Sequence, residues 1–287
     1  MSAARTPTGF AAALGARMGS WDLGKHLFLL VAALLTYIPF WILFVVSLKD
    51  QAQFYHGVWM LDFPIHLENY LNAWGVVSHY ILNSIFVTGA TVIGVVVISS
   101  LAAFAFARYD FPLKRTLFML ILSLLMVPSI LTMVPTFVLV KDFGMINSYL
   151  GLILPGIAAQ QVFAIFLLRG FIASLPEELF EAARIDGASM FQCYWLIAMP
   201  LSRPILSVVV ITTLLTTWND FIWPLIVISD DSLRTIPIGL AFFQTQYTTN
   251  YGPLMAGYVI SSLPLLLVFF FTSREFVQGL TAGAVKF

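Results

Sequence analysis

Six apolar runs, each about long enough to cross a bilayer, constrain this chain more than any other feature. They fall at residues 27–48, 80–107, 116–140, 150–170, 203–228 and 253–272. A spanning helix needs about 20 largely apolar residues. In lipid every backbone N–H and C=O must be satisfied within the protein, which leaves helices or closed barrels. Barrel strands would read as segments of about 10 residues with alternating polarity, whereas these runs are continuous. The expected fold is therefore all-α: a polytopic membrane protein with six transmembrane helices. Charge agrees, since only 10% of residues are Asp, Glu, Lys or Arg, against about 25% in a soluble domain.

The expected organisation is a cytosolic N-terminal tail at 1–26, a membrane domain at 27–272 with a polar segment at 171–203 inside it, and a C-terminal tail at 273–287. No small-residue cleavage site follows the first run, so it reads as a retained helix and not as a signal peptide. Lys and Arg set the orientation. With the N-terminus inside, Arg5, Arg17, Lys25, Arg108, Lys114, Arg115, Arg169, Arg184, Arg203, Arg274 and Lys286 are cytosolic, and Lys49, Lys141 and Arg234 lie opposite. That asymmetry follows the positive-inside rule and puts both termini in the cytosol. Outside, Asn69-Tyr70-Leu71-Asn72-Ala73-Trp74 suits a short interfacial helix.

The polar segment carries start and stop signals of its own. Ser174 with Glu177, and Ser189 with Gln192, have capping-box spacing. Gly187 can adopt the left-handed conformation that ends a helix. Two short helices are expected, one through Leu179–Ile185 and one over Met190–Ala198. Phe180, Ile185, Met190, Phe191, Tyr194 and Trp195 add more apolar surface than a solvated loop needs, which points to docking on another protein, with packing on the chain's own helices taking a share.

Within the spans, Asp220 is the acidic residue that must face the bundle interior or water. Pro224 cannot donate to the Asp220 carbonyl, so the helix is loosened beside Asn219 and Asp220. A substrate path or gate and an interhelical hydrogen bond both fit these residues. Trp218, Gln160 and Asn83 are candidates of the same kind. Pro128 and Pro135 in the third run, and Pro155 in the fourth, mark kinks that lipid permits only where neighbouring protein or water serves the freed carbonyls.

Glu181-Ala182-Ala183, three residues, Gly187, nine residues, then Ile197-Ala198-Met199-Pro200 resembles the EAA loop of binding-protein-dependent ATP-binding-cassette (ABC) importer permeases. The family writes Leu at the position of Met199. Asn83-Ser84, the stretch Ala105–Pro112, Trp218-Asn219-Asp220 and the run Gly279–Lys286 extend the likeness over nearly the whole chain. It is similar to the smaller permease of maltose-type carbohydrate importers. The family usually carries Gly where Phe287 follows Lys286.

The resemblance implies a type I ABC importer permease fold in the bacterial cytoplasmic (inner) membrane, without catalytic residues of its own. It implies three kinds of partner: a second homologous permease, two cytosolic ATPase subunits that bind ATP and magnesium, and an extracytoplasmic solute-binding protein. Glu181, Ala182, Ala183, Arg184, Asp186, Gly187 and Ala188 would form the coupling helix and its bend. Gly279, Thr281, Gly283 and Lys286 would form a second ATPase contact. Sugars, oligosaccharides and related solutes are the implied cargo, with glycerophosphate-type, amino-acid or peptide solutes as alternatives.

Other classes find little support. No G-x-x-x-x-G-K-[ST] phosphate loop, H-E-x-x-H or G-x-S-x-G occurs. The lone Cys193 offers no metal pair, and His26, His56, His66 and His79 lack ligand spacing. A membrane enzyme would have to rest on Asp220 without a second titratable partner.

Overall fold

The computed structural model describes residues 20–246 and 250–284, and among them the regular structure is helical throughout. The principal helices are α1 (Ser20–Ser47), α2 (Gln51–His56), α3 (Glu68–Arg108), α4 (Lys114–Ser123), α5 (Ser129–Asp142), α6 (Tyr149–Ala173), α7 (Glu177–Ile185), α8 (Met190–Gln192), α9 (Met199–Leu201), α10 (Arg203–Trp218), α11 (Ile222–Val227), α12 (Ile236–Gln246) and α13 (Tyr251–Ala284). A π-helix, Cys193–Ala198, joins α8 to α9.

Among the described residues four helices are long and apolar enough to cross a membrane, and the number rises to six if each of two bent pairs counts as one span. The first bent pair corrects the expectation of one helix over 116–140. Lys114–Met126 and Ser129–Asp142 meet at 102°. Pro128 disfavours helical geometry at the residue before it, and Val127 is extended (φ −84°, ψ 117°). Pro128 is extended as well (φ −59°, ψ 129°), so two successive residues leave the helix and the chain turns a corner.

The run at 203–228 is also divided. α10 ends at Trp218, Asn219 caps it, and α11 restarts at Ile222. Sixteen residues give α10 a length of ~24 Å. On its other side it meets the Met190–Leu201 segment at 77°.

The expected interfacial helix at 69–74 is instead the first turns of α3. The buried Asn69 amide donates to the carbonyls of Ser47 (3.0 Å) and Lys49 (2.9 Å) at the end of α1. The Tyr70 hydroxyl pairs with Ser47 Oγ at 2.7 Å. Nothing then breaks the helix before Arg108. Lys49, only 1% exposed, gives its charge to Asp62 Oδ2 (2.5 Å) and the Gly57 carbonyl (2.7 Å).

α3 is the spine of the fold, and it passes through three successive apolar clusters. Ala73, Val77 and Tyr80 pack with Trp218, Phe243 and Leu254. Val87 meets Leu152, Val227 and Ile238. Val95, Ala103 and Phe104 meet Leu168, Phe180 and Tyr194. Along the α3–α6 seam Gly94 lies under Ile157, whose side chain a Cβ would overlap, the close approach that small residues permit between membrane helices.

Candidate functional site

At the end of α3, α7 forms an exposed knuckle on a rigid base. Its C-terminus closes in a Schellman motif: the Ala188 N–H donates to the Ala183 carbonyl (2.9 Å) and the Gly187 N–H to the Arg184 carbonyl (3.1 Å). Gly187 sits at φ +83°, as the motif requires. Nothing lies within 4 Å of a Cβ placed there, so backbone conformation and not crowding selects glycine. Glu181, Ala182, Arg184, Asp186 and Gly187 are exposed, and Ala183 and Ala188 are half-buried. Ile185 at the tip is 87% exposed.

The Ser174–Glu177 capping box does not form. Ser174 bonds back to the Phe171 carbonyl (2.7 Å) at the end of α6, and Pro176 takes the N-cap position of α7 without a side-chain cap. Glu177 is drawn away by two arginines. It pairs with Arg108 and with Arg184 Nη2 (2.7 Å). The second box does form: Ser189 Oγ accepts from the Gln192 N–H (3.3 Å), and Gln192 Oε1 from the Ser189 N–H (2.7 Å).

Arg108 is the residue that the sequence placed only as a charge on the cytosolic side. Its guanidinium is almost wholly buried. It donates to the carbonyls of Ile172 and Leu175 (2.7 Å each), pairs with Glu177, and lies 4.0 Å from the centroid of the Phe180 ring. Free carbonyls at a helix C-terminus carry partial negative charge, so one cation joins the ends of α3 and α6 to the start of α7. Position in the Ala105–Pro112 stretch was the available signal. Beneath it, Phe104 packs on Phe180 and Tyr194 (centroids 6.4 and 5.5 Å), and Ser100 Oγ meets Tyr194 Oη at 2.8 Å.

The apolar residues of this segment therefore divide. Phe180 and Tyr194 hold the knuckle to the bundle, whereas Ile185, Phe191 and Trp195 stay exposed. Gly279, Thr281 and Gly283 lie on the last turns of α13, which continues the sixth run without interruption. Lys286 lies outside the described residues.

The intramembrane candidates separate into two groups. Gln160 Nε2 donates to Thr217 Oγ1 at 2.9 Å and links α6 to α10, one residue before Trp218. Trp218 is buried in the core, and Asn219 bonds the Leu215 carbonyl (2.8 Å). Asp220 Oδ1 accepts from the Trp223 N–H (3.3 Å) and so caps α11. Asn83 belongs elsewhere: it donates to the carbonyls of Ser232 (2.8 Å) and Arg234 (2.9 Å) and accepts from the Tyr149 hydroxyl (2.7 Å). With the Ile236 N–H on Ser84 Oγ (2.8 Å), it straps the loop after α11 onto α3. In that loop Ser232 donates its N–H and hydroxyl to Asp230 and holds that carboxyl below the usual carboxylate range.

Among the described residues no His, Cys, Asp and Glu gather in a group that could hold a metal ion. Fold and site together define a multi-pass helical membrane subunit with a clamped, exposed knuckle at one end. Residues 95–281 match the family described as "Binding-protein-dependent transport system inner membrane component". The chain is 39% identical over 204 residues to the arabinooligosaccharides transport system permease protein AraQ of Halalkalibacterium halodurans, covering 71% of this chain and 72% of that one. It is 35% identical over 270 residues to the probable ABC transporter permease protein YurM of Bacillus subtilis, covering 94% and 89%. Its fold superimposes with a TM-score of 0.79 on a chain of a bacterial ABC transporter involved in the import of the acidic polysaccharide alginate, at 21% identity, over 94% of this chain and 100% of that one. The protein belongs to the binding-protein-dependent transport system inner membrane component family, and it is a permease subunit of an ABC importer.

Proposed function

We propose that this permease forms half of a translocation path for a sugar or oligosaccharide, and that Glu181 to Ala188 carries the stroke of cytosolic ATPase subunits into the membrane. One observation carries the coupling assignment: the tip of α7 is exposed while its base is locked by Arg108, Phe180 and the Schellman turn. Force applied to such a tip moves α3 and α6 and is not absorbed in a flexible loop. The solute class rests on the kinship to the arabinooligosaccharide permease and on the Trp218-Asn219-Asp220 and Gly279–Lys286 motifs. The second permease, an extracytoplasmic binding protein, cytosolic termini and hydrolysis of ATP by the partners belong to the same reading. The divided helix at Asn219–Phe221 is the place where a gate can open, because lost backbone bonds are confined to three residues.

Ile185→Asp tests the coupling without disturbing the fold, since nothing in this chain covers that side chain. In proteoliposomes with the full assembly, ATP-driven uptake should fall at least tenfold, the loss expected for ~1.4 kcal/mol at a docking contact. Normal uptake by a correctly inserted variant would refute the assignment.

A further inference from the structure

Beside the knuckle lies a concave site of different character. It is an open cavity of about 760 Å³ between the end of α3, the start of α4 and the last turns of α6. Phe106, Phe111, Phe118 and Met119 form an apolar wall, with Phe106 centroids 5.6 and 5.5 Å from Phe111 and Phe118. Lys114, Arg115 and Arg169 supply three cations against the single carboxylate of Asp110. That carboxylate is fully exposed and pairs with Lys114 Nζ at 3.2 Å. Neither Arg115 nor Arg169 has an acidic partner among the described residues. Arg169 lies over the Phe118 ring (4.9 Å to the centroid), and its Nε is buried without a hydrogen-bond acceptor.

A buried guanidinium N–H without an acceptor costs free energy that a ligand oxygen would recover. Arg forks match phosphate oxygens in geometry and charge. The aromatic wall and the apolar helices that rise from it suit acyl chains. We infer that this cavity binds the phosphodiester headgroup of an anionic membrane lipid, with Arg169 and Arg115 on the phosphate and Phe106, Phe111 and Phe118 along the glycerol and upper acyl region. The inference rests on the membrane reading of the fold. A free phosphate would use the same cations but leave the aromatic wall uncovered.

The assembly, purified with its partner subunits, is exchanged into nanodiscs containing equal phosphatidylglycerol and phosphatidylcholine, and the lipids retained are counted by native mass spectrometry. The wild type should retain phosphatidylglycerol in preference, and excess inorganic phosphate should not displace it. Arg115→Gln removes an exposed side chain without touching the core, and it should reduce the preference several-fold. Arg115→Gln/Arg169→Gln should reduce it roughly tenfold or more. Equal retention of both lipids by the wild type would overturn the site, as would an unchanged preference in the double variant. Displacement by inorganic phosphate would overturn the lipid assignment, and loss of the preference on removing a partner subunit would place the lipid site on that subunit and overturn it here. Uptake measured on the same preparations keeps this result separate from the transport reading.

Discussion

At the scale of single residues, the decisive groups are those whose conformation or burial admits few substitutes. Gly187 owes its identity to φ +83° and not to space. A β-branched side chain in the left-handed region costs about 1–2 kcal/mol, and Asn much less. Gly187→Val should therefore loosen the turn and cut coupled uptake severalfold, whereas Gly187→Asn should stay near wild type; equal loss in both would make crowding by a partner the cause. Arg108 works by a different principle, since its buried guanidinium serves the carbonyls of Ile172 and Leu175 at the end of α6. Its ion pair with the half-exposed Glu177 adds little by comparison. Asp220 separates two roles cleanly. As a cap on the Trp223 N–H, it can be replaced by Asn at little cost, and Asp220→Ala removes about 1 kcal/mol. If charge on the solute path matters, Asp220→Asn and Asp220→Ala should lower uptake equally while assembly is retained. Uptake and thermal stability measured on both variants decide between gate and cap.

Elements behave as levers and straps. α3 extends 41 residues because its first turn is tied to the end of α1 and no breaker intervenes. α4 and α5 are separated because Val127 and Pro128 are both extended. The loop after α11 is held to α3 by Asn83 and Ser84, and to the turn before α6 by Asn147 Oδ1, which accepts from the N–H groups of Ser229 (3.1 Å) and Asp230 (2.9 Å). Asn83→Leu deletes the two bonds to this loop, worth about 1 kcal/mol each, together with the bond from Tyr149. Amide exchange over residues 229–235 should then accelerate roughly 30-fold, with no change in α7. Exchange that stays slow would show that Ser84 and Asn147 hold the strap without Asn83.

For the whole molecule, orientation is the open mechanical variable, and the excess of Lys and Arg on the knuckle side argues for a cytosolic α7. Cys193 is buried, so Ser189→Cys offers an accessible thiol in a nearly silent background. An impermeant maleimide should label it in inside-out vesicles and not in right-side-out ones; the reverse pattern would invert the topology and with it the placement of the ATPase. The sequence by itself determined a helical membrane protein, the two short helices of the polar segment, the glycine that ends the first, and the family. These depend on composition, on local periodicity and on backbone preference, all legible within a few residues. Only the tertiary structure decided that Asn83 is a strap, that Asp220 caps a restarted helix, that Glu177 leaves its capping box, and that Arg108 joins three helix ends. At Asn83, Glu177 and Arg108 the outcome is a competition for hydrogen-bond partners far apart in the chain, as in the 66 positions that separate Asn83 from Tyr149, and no local pattern records which partner wins. The Asp220 bond is local, but the break in the helix that permits it is not.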